Sequence, residues 1–117
     1  GNKSLLHNVG ILLFNRTFIA MNFFVYIIQS QVDRSFYKGF STQPITRFVQ
    51  HNNQEATYTF SKAPWNPVAL FEFNTKSEAL IFEKKIKKYD QKRLIALINS
   101  DRNILDLFLS NNDNLVG

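Results

Sequence analysis

The run Phe23-Phe24-Val25-Tyr26-Ile27-Ile28-Gln29 sets the tightest constraint on what this chain can become. Its residues are aromatic and β-branched, which favours a strand. They are apolar at both alternating positions, so neither face of that strand can be left in water. A strand of this kind belongs in the middle of a sheet with material packed on both sides. Its natural partner is Phe36–Ser41, FYKGFS, with the polar stretch QSQVDRS between them as the turn of an antiparallel hairpin. Side chains alternate across a strand, so Phe24, Tyr26 and Ile28 share one face and Tyr37, Gly39 and Ser41 share another. Both tyrosines can therefore project to the same side of the sheet.

Ser41 or Thr42 followed by Pro44 reads as a helix start, and PITRFVQHNNQ carries apolar residues at Ile45, Phe48 and Val49 before stopping near Asn52 and Asn53. Arg47 and His51, four apart, stack on one face of that helix. A polar loop ending in Pro64, Trp65 and Pro67 leads into a third strand, Val68–Phe73. Thr75 and Glu78 have the spacing of a capping box and open a helix through SEALIFEKKIKKY. At about 100° per residue, Ala79, Phe82, Ile86 and Tyr89 form one stripe, Lys84, Lys85 and Lys88 lie opposite, and Glu83 falls inside the apolar stripe. QKRLIALINS after Asp90 and ILDLFLS near 104–110 read as two further helices, with NNDNLVG as a frayed tail. The expectation is one α/β domain over residues 22–98, preceded by an extension over 1–21 and followed by a C-terminal helix and tail over 99–117, with Met21 the candidate start of the core.

Composition narrows the function classes. A chain of 117 residues supports one core of ordinary domain size. The 44% hydrophobic fraction and twelve phenylalanines exclude a disordered chain. Without cysteine there are no disulfides or thiolate metal sites, so any metal is held by oxygen or imidazole, and a reducing cytoplasm fits. A net charge of +5 favours polyanionic partners. Asn15, Arg16, Thr17 and Asn22 interrupt the stretch from Val9 to Ile28, which excludes a membrane span. Lys3 ahead of Val9–Phe14 with Ala20 beyond has the outline of a signal peptide, but the run is too short and broken for one.

Glu83 carries the most chemical information. A carboxylate on a buried stripe is costly unless paired or bound to a cation. It reads either as a salt bridge to Arg47 or a lysine, or as a ligand for a divalent ion such as magnesium. Arg47 suits a two-pronged grip on phosphate, and His51 suits proton exchange near neutrality, provided their helix face looks toward the tyrosines. Lys76 to Arg93 contributes +4 of the net +5. It reads either as a solvated face or as a surface that tracks phosphates.

Val25-Tyr26-Ile27, then Tyr37-Lys38-Gly39, then Arg47 and His51 on the next helix, then Glu83 after Ser77-Glu78-Ala79-Leu80, together resemble the GIY-YIG nuclease superfamily. The closest likeness is to its small stand-alone bacterial members, related to the amino-terminal nuclease domain of the UvrC excision-repair protein. Val25 and Lys38 stand where the family's motifs have glycine and isoleucine, and Asn99 is the candidate for the asparagine that many members carry beyond the glutamate. The resemblance implies a three-stranded antiparallel sheet flanked by helices, and hydrolysis of DNA with one Mg2+ or Mn2+. It implies Tyr26 as general base or water-positioning group, Tyr37 as its partner, Arg47 as phosphate clamp, His51 as proton acceptor through Tyr26, and Glu83 as metal ligand. Lys38, Lys84, Lys85, Lys87, Lys88, Lys92 and Arg93 are the expected DNA contacts, with a separate protein able to supply specificity. Two rivals share the sequence: a binding module of the same fold that does not cleave, and an interaction domain whose tyrosines and Glu83 satisfy one another.

Overall fold

The computed structural model describes residues 11–14, 17–20 and 22–116. Lys3, Val9 and Met21, and with them the questions of a leader and of the start of the core, lie outside the described residues. Strands β1 (Ile11–Phe14) and β2 (Thr17–Ala20) form a two-stranded antiparallel ladder of their own. The broken apolar run thus contains two paired strands, while Asn15 and Arg16 lie outside the described residues.

Strands β3 (Phe23–Ser30), β4 (Phe36–Ser41) and β5 (Trp65–Phe73) form an antiparallel sheet in the order β4-β3-β5. The chain is α+β, with β3 central as its two apolar faces demand. Phe24 through Ile28 are all buried. On one face Val25 and Ile27 pack with Ala69 and Phe71 under α2 (Lys76–Ile86) and α3 (Gln91–Ile98), through Ala79, Phe82, Ile86, Leu94 and Leu97. On the other, Phe24, Tyr26 and Ile28 pack with Trp65 and Leu70 against Phe48 of α1 (Pro44–Asn52) and Leu105 of α4 (Leu105–Val116). Each such aliphatic or aromatic side chain is worth about 1.5–3 kcal/mol on full burial, so β3 is the element on which both layers depend.

Thr75 caps α2 as its spacing indicates, its hydroxyl accepting from the Glu78 amide at 3.1 Å. Asp90 caps α3 in the same way, accepting from the Arg93 amide at 2.8 Å. Three boundaries differ from expectation. β5 begins at Trp65 rather than Val68, because Pro67 sits on an outer strand opposite Ile28, at a register shift where the ladder tolerates a missing N–H. α2 ends at Ile86, and the chain tightens into shorter-range bonds, Lys88 N–H to Lys85 and Tyr89 N–H to Ile86. α4 continues to Val116, so the expected frayed tail has helical backbone.

Asn103 ties the last helix to the sheet. Its amide oxygen accepts from the Leu70 and Leu105 amides, each at 3.0 Å, and its amide nitrogen donates to Val68 at 2.9 Å and Ile98 at 2.8 Å. Asn99, by contrast, is an exposed residue at the end of α3 and makes no such tie. Asn103→Ala strips these backbone groups of their partner at once and is expected to cost about 2–4 kcal/mol. Urea denaturation measures it, and a loss below about 1 kcal/mol would show that water replaces the side chain.

Candidate active site

Tyr26 lies at the centre of β3, directly opposite Gly39 of β4. The glycine is required by the close approach of the ring. A Cβ at position 39 would stand 2.3 Å from both Cζ and Oη of Tyr26. The absent side chain lets the phenol lie across the outer strand and carry its hydroxyl to the β4 edge of the sheet. Tyr37, opposite Ile28, projects to the same side, its ring centroid 6.3 Å from that of Tyr26. Phe48 meets Tyr26 edge-on at 5.6 Å, and Trp65 meets Tyr37 edge-on at 6.3 Å. The two tyrosines are thus wedged in fixed orientations.

Helix α1 delivers Arg47 and His51 over these rings. His51 is fully buried, and its Nε2 lies 2.9 Å from the Tyr26 hydroxyl. Its Nδ1 lies 2.7 Å from Oγ1 of Thr59, a residue of the 3-10 helix Thr57–Lys62. The Thr59 hydroxyl also reaches the Ala56 carbonyl, 3.4 Å away. In the tautomer where it donates there, its oxygen accepts from Nδ1–H and Nε2 is the acceptor for the Tyr26 O–H. In that tautomer the row Tyr26, His51, Thr59 has a direction. Burial, helped by the Arg47 charge, lowers the His51 pKa from 6.5 to about 4, so the imidazole is neutral at neutral pH. The Tyr26 phenol is pushed above its ordinary value of 10, chiefly by burial, and the hydrogen bond and charge of Arg47 oppose this without overcoming it. Arg47 favours the phenolate but is outweighed by desolvation.

Arg47 is half-buried and donates to Gln50 Oε1 at 2.6 Å. Glu83 comes from α2, on the opposite face of the sheet, yet its charge is among those that raise the Tyr26 pKa. The phenol lies over Gly39 on the α1 side of β4, and α2 packs against the same strand from the other side. Glu83 is only 17% exposed, and it pairs with Lys87 at 3.6 Å rather than with Arg47. Among the described residues no three His, Asp or Glu side chains cluster as a metal cage. A single shielded carboxylate is the donor set that suits magnesium or manganese when water and substrate phosphate complete the shell.

The lysines divide. Lys38 lies between Tyr37 and Gly39 and so faces the opposite layer, where burial and the Lys87 charge lower its pKa. Lys84, Lys85, Lys88 and Arg93 line a cleft of about 400 Å³ with Ile81 and Tyr89, the Arg93 guanidinium 4.1 Å above the Tyr89 ring. That flank of α2 is turned away from Glu83. Lys92 is exposed on α3. Thr59 escaped the sequence reading, since nothing in TYTFSK distinguishes it from any loop threonine.

The unfolded chain takes up a proton on His51 near 6.5 and the folded chain only near 4. The resulting stability is complete above pH 6.5 and is lost as pH falls toward 4, about 2 kcal/mol between pH 7 and 5. Urea midpoints at the two pH values measure it. A His51→Gln chain with an equally steep decline would assign the effect to other groups. Gly39→Ala is expected to cost at least about 1–3 kcal/mol, because the rigid ring of Tyr26 has to move. An unchanged melting temperature would show that the phenol is free to swing aside.

The sequence matches the GIY-YIG catalytic domain over residues 22–96. It is 36% identical over 77 residues to a UPF0213 protein of Staphylococcus saprophyticus, covering 65% of this chain and 93% of that protein. A UPF0213 protein of Halalkalibacterium halodurans is 31% identical over 80 residues, covering 68% and 84%. Among solved structures, the solution NMR structure of a UPF0213 protein from Bacillus halodurans is similar, with a TM-score of 0.47, 30% identity, and coverage of 70% of this chain and 87% of that one.

Proposed function

The chain belongs to the GIY-YIG catalytic-domain family, and from that premise we propose that it is a divalent-metal-dependent endonuclease hydrolysing DNA phosphodiester bonds, with a place in DNA repair or processing. The observation that carries this reading is the row of hydrogen bonds from Thr59 through His51 to the Tyr26 hydroxyl, a phenol on which the charges of Arg47 and Glu83 both act.

Tyr26 is protonated at neutral pH and His51 is neutral, so the pair can pass a proton in one direction only. A water held by Tyr26 and Tyr37 attacks phosphorus. Its proton goes to Oη of Tyr26 as the phenol's own proton passes to Nε2 of His51. The negative charge of the arriving phosphate raises the proton affinity of His51 above its resting value. The bond from phosphorus to the departing oxygen breaks, and that oxygen takes a proton from solvent. Arg47 places N–H groups against the phosphoryl oxygens as their charge grows. When bound at Glu83, a magnesium or manganese ion supplies positive charge against the phosphate and the departing oxygen.

Supercoiled plasmid is expected to be nicked in the presence of magnesium or manganese. Tyr26→Phe, Arg47→Ala and Glu83→Ala should each reduce the rate about a hundredfold or more while leaving a folded protein. Equal nicking by all four proteins would remove this site from the reaction. One observation favours a second reading. Lys87 lies against Glu83 and competes for its carboxylate, as in a DNA-binding module that no longer cleaves. A salt-sensitive mobility shift without nicking would select it.

A further inference from the structure

The 3-10 helix Thr57–Lys62 does more than supply Thr59. On either side of that buried threonine it holds Tyr58, 88% exposed, and Phe60, 55% exposed. Val32, Ile81 and Leu107 are at least as exposed as Phe60, but Tyr58 and Phe60 are aromatic rings carried close together on one short helix. They are also held on a rigid mount. Trp65 Nε1–H donates to the Thr59 carbonyl at 3.0 Å, Gln54 donates to the Phe60 carbonyl at 3.0 Å, and the Ser30 hydroxyl donates to the Lys62 carbonyl at 2.7 Å. A fixed mount of this kind spares a ligand the cost of ordering the loop.

We propose that Tyr58 and Phe60 form a stacking platform for unpaired nucleobases beside the scissile phosphate, so that the substrate is a strand with bases out of the duplex, single-stranded or branched. The inference rests on the nuclease reading for the position of the phosphate. The residue between the two rings is hydrogen-bonded to His51, and His51 to Tyr26, so the mount of the platform is two side-chain bonds from the Tyr26 hydroxyl. A chain of net charge +5 suits a polyanionic ligand, although most of that charge lies in Lys76–Arg93. In a continuous duplex each base face is covered by its neighbours, and a protein ring reaches a base face only when the base has left the stack. Aromatic rings accept any base in this way, so the platform reads strandedness and not sequence.

The test uses the full chain in EDTA, where binding is read without cleavage, and two DNAs of one sequence containing 2-aminopurine. One is a continuous duplex, and the other carries the fluorescent base in a single-stranded flap. The parent should bind the flap in preference to the duplex and quench its fluorescence. Tyr58→Ala/Phe60→Ala should lose the quench and bind the flap about tenfold or more weakly, with duplex binding and the urea midpoint unchanged. Tyr58→Trp/Phe60→Trp should restore both quench and preference. A parent that quenches neither DNA, a double variant that keeps the preference, or a loss shared equally by duplex and flap would overturn the platform. The assay needs no cleavage, so a protein that fails to nick plasmid can still show the platform, and a protein that nicks can still lack it.

Discussion

A buried phenol crossing a glycine is the contact from which the rest of the site follows. Tyr26 reaches the edge of the sheet only because position 39 has no side chain. Once there, its hydroxyl is out of water and needs a partner, which His51 supplies at 2.9 Å. The imidazole, buried in turn, needs an acceptor for its second nitrogen, and Thr59 provides it at 2.7 Å. Each burial thus creates the demand that the next residue meets. Among the described residues, no buried side-chain nitrogen or oxygen lacks a hydrogen-bond partner. The row is built from three segments distant in sequence, so it exists only when the sheet, α1 and the 3-10 helix are all in place.

Desolvation is the largest influence on both titrating members of the row, opposed by Arg47 at Tyr26 and reinforced by it at His51. It keeps His51 neutral to about pH 4 and keeps the phenol protonated despite Arg47. Lys38 and Lys87 press on one another near Glu83, and the burial of Lys38 lowers its pKa further. The resting site therefore holds its protons in place and its cations in mutual repulsion. Under the nuclease reading, the phosphodiester charges of a bound strand would relieve that repulsion.

What the sequence disclosed was whatever repeats with the period of its element. The two-sided apolar character of Phe23–Gln29, the shared face of Tyr26 and Tyr37, and the anomalous position of Glu83 in the stripe of Ala79, Phe82 and Ile86 all follow from counting residues, and the structure has them all. Thr59 and Asn103 were invisible because each acts through side-chain bonds to other elements, Thr59 eight residues back to α1 and Asn103 across to β5, which leave no period behind. The early start of β5 was hidden by Pro67, whose effect depends on whether its strand is central or outer and on what lies opposite. Asn99 drew attention by its distance from Glu83, whereas the tie between sheet and α4 needed the turn that Asn103 occupies.

The motif Tyr37-Lys38-Gly39 can now be divided by function of position. Strand alternation sends Lys38 to the α2 layer and leaves Tyr37 and Gly39 on the α1 layer, so the lysine was never a neighbour of the tyrosines on their own face. Its place beside Lys87 makes it part of the setting of Glu83 instead. The glycine is the residue that lets the phenol lie across β4 to the sheet edge, where the Glu83 charge is felt. In the nuclease reading, a carboxylate from one face of the sheet and a hydroxyl rooted in the other act on one phosphate, and a side chain at position 39 would hold the phenol back from that edge.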